Sequence, residues 1–114
     1  MTEILDVEAL TRKFLSAYEE KDMAAIAGMF SPDVILRDWN SEVVGYQAAT
    51  QEYTNNFQAA DTLAIKIHNV LTSGLSAAAV LEIVVDGVET LRVVDVLSFS
   101  VDGKIKSIVA YKGL

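Results

Sequence analysis

LRVVDVLSFSVDGKIKSIVAY, residues 91–111, reads as two long strands, Leu91–Val101 and Lys104–Tyr111, joined at Asp102-Gly103. Asp-Gly is favoured where a chain takes positive φ between antiparallel strands, so the segment predicts a hairpin. Alternation places Leu91, Val93, Asp95, Leu97 and Phe99 on one face of the first strand. Asp95 is thus a carboxyl group on an apolar surface. An unpaired buried charge is costly, which leaves three states for it: salt-bridged, turned to solvent, or held protonated as a hydrogen-bond donor in a pocket.

The same period of two extends back through Leu63–Thr72, Ala77–Val85 and Val88–Val101, with Asp86-Gly87 as a second Asp-Gly turn. The first half of the chain has a helical period instead. Ile4, Val7, Leu10, Phe14 and Ala17/Tyr18 recur opposite Glu3, Glu8, Arg12, Lys13, Glu19 and Glu20, which predicts a first helix ending near Lys21. Asp22 suits the N-cap of a short helix, Met23–Met29, apolar almost all round and expected to be buried. Ser31-Pro32-Asp33 then stops the helix. Val34–Trp39 follows as a strand, with Asp38 on the face of Val34 and Leu36, and with Arg37 and Trp39 beside Ile35 on the other. After a turn at Asn40-Ser41-Glu42 and Gly45, the stripe Tyr46, Ala49, Tyr53 and Phe57 predicts a third helix to about Ala60. Helices followed by an antiparallel meander make an α+β fold in which helices cover one face of a curved sheet. Several strands are apolar on both faces. The outer face, expected to carry Val94, Val96, Ile108 and Ala110, invites a second copy of the chain, so a homodimer through the sheet face is expected.

A length of 114 residues predicts one domain over 1–114. The absence of cysteine removes disulfides and thiolate metal sites and suits a reducing compartment. A net charge of −7 with nine basic residues gives no electrostatic footprint for nucleic acid or an anionic membrane. No basic-plus-apolar leader opens the sequence and no apolar run approaches the roughly 20 residues of a membrane span, so the expected location is cytoplasmic. At 52% apolar residues the chain has surface to place in a cavity wall, an oligomer interface, or both. By alternation His68 shares a face with Lys66 and Val70 and reads as a solvated or interface histidine. One histidine and no carboxylate cluster predict no metal site, and no cofactor is expected.

The order of elements and four phrases resemble the nuclear-transport-factor-two-like superfamily, within it the ketosteroid isomerases and SnoaL-type polyketide cyclases. The phrases are KDMAAIAGMF, FSPDVILRDW, VVGYQAATQEY and VVDVLSFSVDGKIKSIVAY, and the resemblance runs over nearly the whole chain. It implies a cone-shaped curved sheet wrapped around a cavity closed by three helices. It also implies a small hydrophobic ligand and cofactor-free proton transfer next to a carbonyl, with Asp38 as general base and Asp95 as the protonated oxyanion donor. Tyr53 matches a supporting tyrosine of the third helix. Phe14 stands where the isomerases carry their main oxyanion-donor tyrosine, and Trp39 replaces a proline after the base. Phe14, Tyr18, Trp39, Tyr53 and Phe57 form the candidate ligand-binding set, rings that serve equally as core packing.

Other chemistries of the superfamily fit these residues less well. An epoxide-hydrolase-like aspartate-arginine-aspartate set needs an arginine in the cavity, whereas Arg37 and Arg92 alternate away from Asp38 and Asp95. A scytalone-dehydratase-like site wants histidines there, and His68 is the only one. A SnoaL-like cyclase needs one acid or base, which either aspartate can supply. The alternative from a different class is a non-catalytic small-molecule-binding or dimerisation module.

Overall fold

The computed structural model describes residues 5–113, so Glu3 and Ile4 of the expected first helix lie outside the described residues. Helix α1 is Val7–Glu19, started by the Asp6 side chain, which accepts the Ala9 N–H at 2.9 Å. Helix α2, Met23–Met29, starts in the same way on Asp22, which accepts from Ala25 at 3.1 Å. It is less buried than its composition predicts. Ile26 and Met29 are buried, whereas Ala24 and Gly28 stay exposed, because small residues cost little apolar surface in water.

Strand β1 departs from expectation at both ends. It runs Phe30–Arg37, straight through Pro32, and its pairing is irregular between Phe30 and Ile35, where a residue without an N–H is tolerated. Its C-terminal end comes early, so Asp38 and Trp39 belong to a turn. The Asp38 N–H closes that turn on the Ser41 carbonyl at 2.9 Å. Strand β2, Glu42–Val44, leads to Gly45, whose φ of 98° suits glycine and opens helix α3, Tyr46–Ala59.

Four long strands follow, β3 Leu63–Ser73, β4 Ser76–Val85, β5 Glu89–Phe99 and β6 Ile105–Lys112. Between β4 and β5, Asp86 and Gly87 both take positive φ, 55° and 73°, as a type I′ turn requires. The link between β5 and β6 is longer than a two-residue hairpin. Gly103 alone takes positive φ there, and its N–H bonds to the Ser100 carbonyl at 3.0 Å.

The six strands order as β2-β1-β6-β5-β4-β3, all antiparallel neighbours except β1 and β6, which run parallel. The helices of the first half cover one face, α1 against β3 and β4 and α3 against β1. Phe14, Leu15, Ile26, Val34, Leu81, Leu97 and Ile105 fill the dry centre between the layers.

Register sets the two faces, since residues directly opposed across an antiparallel pair project to the same side. Asp95 opposes Ala79 and Ala110, and Leu97 opposes Ala77 and Ile108. Ile108, 3% exposed, and Ala110 therefore point inward, correcting their assignment to the outer face. The outer face instead carries the rows Val109–Val96–Ala78–Leu71 and Tyr111–Val94–Val80–Asn69. In β3, Ile67 pairs with Leu81 and Asn69 with Val80, leaving His68 in a bulge. The extra residue reverses parity, so Val70 turns into the core and does not share a face with Lys66.

Asp86 ties the end of α3 to this sheet. Its Oδ1 accepts the N–H groups of Asp61, 2.6 Å, and Thr62, 2.9 Å, while its backbone sits at positive φ. Asp86→Ala loses both bonds and puts a methyl-bearing residue in the left-handed region, so a loss of about 2–3 kcal/mol is expected. Asp86→Asn, which keeps the acceptor and tolerates that φ, should retain most of it in urea denaturation.

Candidate functional site

Helices α1 and α3 and the inner face of the sheet border a partly open pocket of about 310 Å³. Asp95 reaches it from the middle of β5. Its cross-strand neighbours are two alanines, Ala79 and Ala110, and its neighbours along the strand face are Val93 and Leu97, both buried. Small flanking side chains leave space in front of the carboxyl group, and apolar ones leave it undersolvated. Burial pushes its pKa from 3.8 to about 7. No described residue gives Asp95 a hydrogen bond or an ion pair, so of its three possible states the salt-bridged one is absent. The carboxyl group opens onto the pocket.

Asp38 borders the same pocket from the turn after β1. Its Oδ1 accepts the backbone N–H groups of Asn40 at 2.7 Å and Ser41 at 2.9 Å, while Oδ2 has no partner among the described residues. Tyr18 of α1 and Tyr53 of α3 join the lining, edge to face with centroids 5.2 Å apart. Burial raises the Tyr18 phenol to about 12, opposed by a hydrogen bond with the Asn56 side chain and reinforced by the negative charge of Asp95, Asp38 and Glu52. The Tyr53 phenol is held well above its ordinary value, first by burial and then by Tyr18 and the same carboxylates. Both tyrosines are therefore hydroxyl donors at neutral pH.

Trp39 also borders the pocket, although the residue is 45% exposed. Phe14 and Phe57 do not. Phe14, 1% exposed, packs 6.1 Å from both tyrosine rings, and Phe57 lies 4.9 Å from Tyr18, so the two phenylalanines back the pocket wall. His68 is on the far side of the sheet, its Nε2 3.4 Å from Glu82 Oε1, and Glu82 also lies 3.8 Å from Arg92 Nε. Arg37 follows the exposed parity of Ile35 along β1 yet borders the pocket at the strand end, contrary to its expected exclusion.

Glu52 and Asn56 are lining residues that the apolar stripe of α3 did not reveal. Asn56 lies three residues from Tyr53, the spacing that shares a helix face, and that was the available signal. Among the described residues no three His, Asp or Glu side chains gather into a group able to hold a metal ion. Nor is any helix among them long and apolar enough to cross a membrane.

The sequence profile of the SnoaL-like domain matches residues 11–108, from within α1 to the middle of β6. The chain belongs to the SnoaL-like domain family. No curated protein matches it in sequence. The SnoaL-like chain is similar in structure to a candidate ketosteroid isomerase from Kribbella flavida, with a TM-score of 0.82 at 20% identity over 95% of this chain and 78% of that one. It is similar to the epoxide hydrolase/cyclase-like enzyme SalBIII of pyran ring formation in salinomycin, 0.82 at 19% identity over 95% and 91%. A candidate SnoaL-like polyketide cyclase from Shewanella denitrificans gives 0.81 at 12% identity over 94% and 90%. Likeness at such low identity speaks for the shared fold, which is the nuclear-transport-factor-two-like cone.

Proposed function

We propose that this SnoaL-like protein binds a small apolar molecule with a carbonyl or enolisable group and moves a proton next to that carbonyl without a cofactor. The observation that carries the reading is Asp95, a carboxyl group unpartnered among the described residues at the apolar wall of a pocket, with a pKa raised to about 7. In its neutral form it donates a hydrogen bond to the carbonyl oxygen as negative charge develops there. Asp38 takes the proton from the adjacent carbon through its free oxygen. Returning that proton to another carbon gives an isomerase, and attack of the enolate carbon on a second carbonyl closes a ring, the cyclase outcome. Tyr18 and Tyr53 supply further hydroxyl donors on the same wall.

Hydrogen–deuterium exchange at the α carbon of cyclic enones and unsaturated steroids, followed by NMR in deuterated buffer, tests the reading without requiring the final product. Enzyme-dependent exchange with any of them supports it. Binding without exchange across the panel would replace it with the non-catalytic binding module.

A homodimer through the outer sheet face is part of the same proposal. Leu71 is 58% and Tyr111 60% exposed, at the ends of the two rows that cross β6, β5, β4 and β3. Those rows make an apolar band that a second copy would cover. Val96→Glu, at the centre of one row, should shift sedimentation toward monomer without altering the pocket, since Val96 faces away from Asp95. A wild-type protein that is monomeric at high micromolar concentration would refute the dimer.

A further inference from the structure

We infer that Asp38 and Lys112 hold Trp39 as one wall of the pocket mouth, and that Trp39 selects flat, conjugated ligands. This rests on reading the pocket as the ligand site. Three hydrogen bonds close the four-residue turn that carries Trp39: Asn40 N–H and Ser41 N–H to Asp38 Oδ1, and Asp38 N–H to the Ser41 carbonyl. The backbone of Trp39 is fixed between them. Trp39 borders the pocket with 45% of the residue in water, a large apolar surface that a ligand entering the mouth would cover. The Lys112 ammonium stands over the ring, 5.6 Å from its centroid, within cation–π range. Lys112 ends β6, which runs beside β1, so the sheet brings turn and lysine together.

Asp38 thereby has two separable jobs. Oδ1 places Trp39, and Oδ2 is left for chemistry in the pocket. An indole at the mouth, with Tyr18 and Tyr53 deeper in, gives a flat aromatic ligand more than apolar contact, because offset or edge contacts between rings add to area burial. A saturated, puckered skeleton of the same size gains only the area.

Trp39 is the single tryptophan, so its emission reports on this wall alone. The probes are 2-naphthol and its saturated counterpart 2-decalol, with affinities measured by calorimetry. Wild-type protein should bind both saturably, 2-naphthol the tighter, and 2-naphthol should quench Trp39. Trp39→Leu should weaken 2-naphthol by roughly fivefold and 2-decalol by clearly less, since the saturated probe loses only contact area. Asp38→Asn, whose amide oxygen still accepts both N–H groups, should keep the Trp39 emission maximum and the 2-naphthol affinity. Asp38→Ala should shift the emission and lose roughly fivefold to tenfold in that affinity. If Asp38→Ala fails to fold, Lys112→Met, on an exposed residue, takes its place and should also shift the emission. Unchanged emission and affinity in the alanine or methionine variant, or equal weakening of both probes by Trp39→Leu, overturns the inference alone. Failure of wild-type protein to bind either probe overturns the pocket reading and the inference together.

Discussion

Replacing Asp95 with asparagine should stabilise the protein by about 2–4 kcal/mol at pH 8 and by close to nothing at pH 3.5. In the unfolded chain this carboxyl group loses its proton near 3.8, whereas in the fold it keeps it up to about 7. Below 3.8 both states are protonated and the full stability is present. Between 3.8 and about 7 the unfolded chain ionises while the folded one holds its proton, so stability falls as pH rises. Above about 7 the loss is complete. A displacement of about three pH units corresponds to about 4 kcal/mol, and access of water through the partly open pocket lowers it. Asparagine fits the same space between Ala79 and Ala110 with no charge to desolvate. Urea denaturation of both proteins across this range measures the effect. A stability difference that does not change with pH would mean that the carboxyl group is solvated in the folded state, and the donor role proposed for it would go too.

The second large effect is on chemistry. Asp38→Asn should lower the rate of α-proton exchange by roughly 10²- to 10⁴-fold, because an amide cannot take the proton. Fold and ligand affinity should survive, since the amide oxygen still accepts from Asn40 and Ser41. Exchange by the wild-type protein should also fall as pH rises through about 7, where Asp95 ionises and ceases to donate. Full exchange activity in Asp38→Asn would refute the base assignment. A rate that climbs steadily above pH 7 would instead point to the ionised form of Asp95 as the base.

Much of the fold was legible locally. Asp22 marks a helix start, Asp86-Gly87 marks a tight turn of positive φ, and the periods of the two halves separate helices from strands. The parity that put Asp95 beside Val93 and Leu97 was also readable, because successive strand residues alternate. Irregular backbone was not. The bulge at His68 inserts one residue, and a single residue reverses every face assignment beyond it, while between Phe30 and Ile35 strand β1 advances five residues against two of β6.

The sequence by itself determined the ingredients: a carboxyl group on an apolar strand face, a second one near the end of the first strand, tyrosines on helix stripes and a chain without cysteine. Only the tertiary structure decided which of them meet. The parallel pairing of β1 with β6 brings residues separated by about seventy positions together, and no local period encodes a contact of that separation. It sets the Asp38 turn beside the pocket that Asp95 enters from β5. The register across β4, β5 and β6 then surrounds Asp95 with Ala79 and Ala110, and that choice of neighbours gives an ordinary aspartate an apolar setting and a pKa of about 7. Helix packing likewise turns Tyr18 and Tyr53 to the pocket and Phe14 and Phe57 behind them, although all four lie on the apolar stripes. A stripe states that a side chain leaves water; the facing element determines whether it meets dry core or an open pocket.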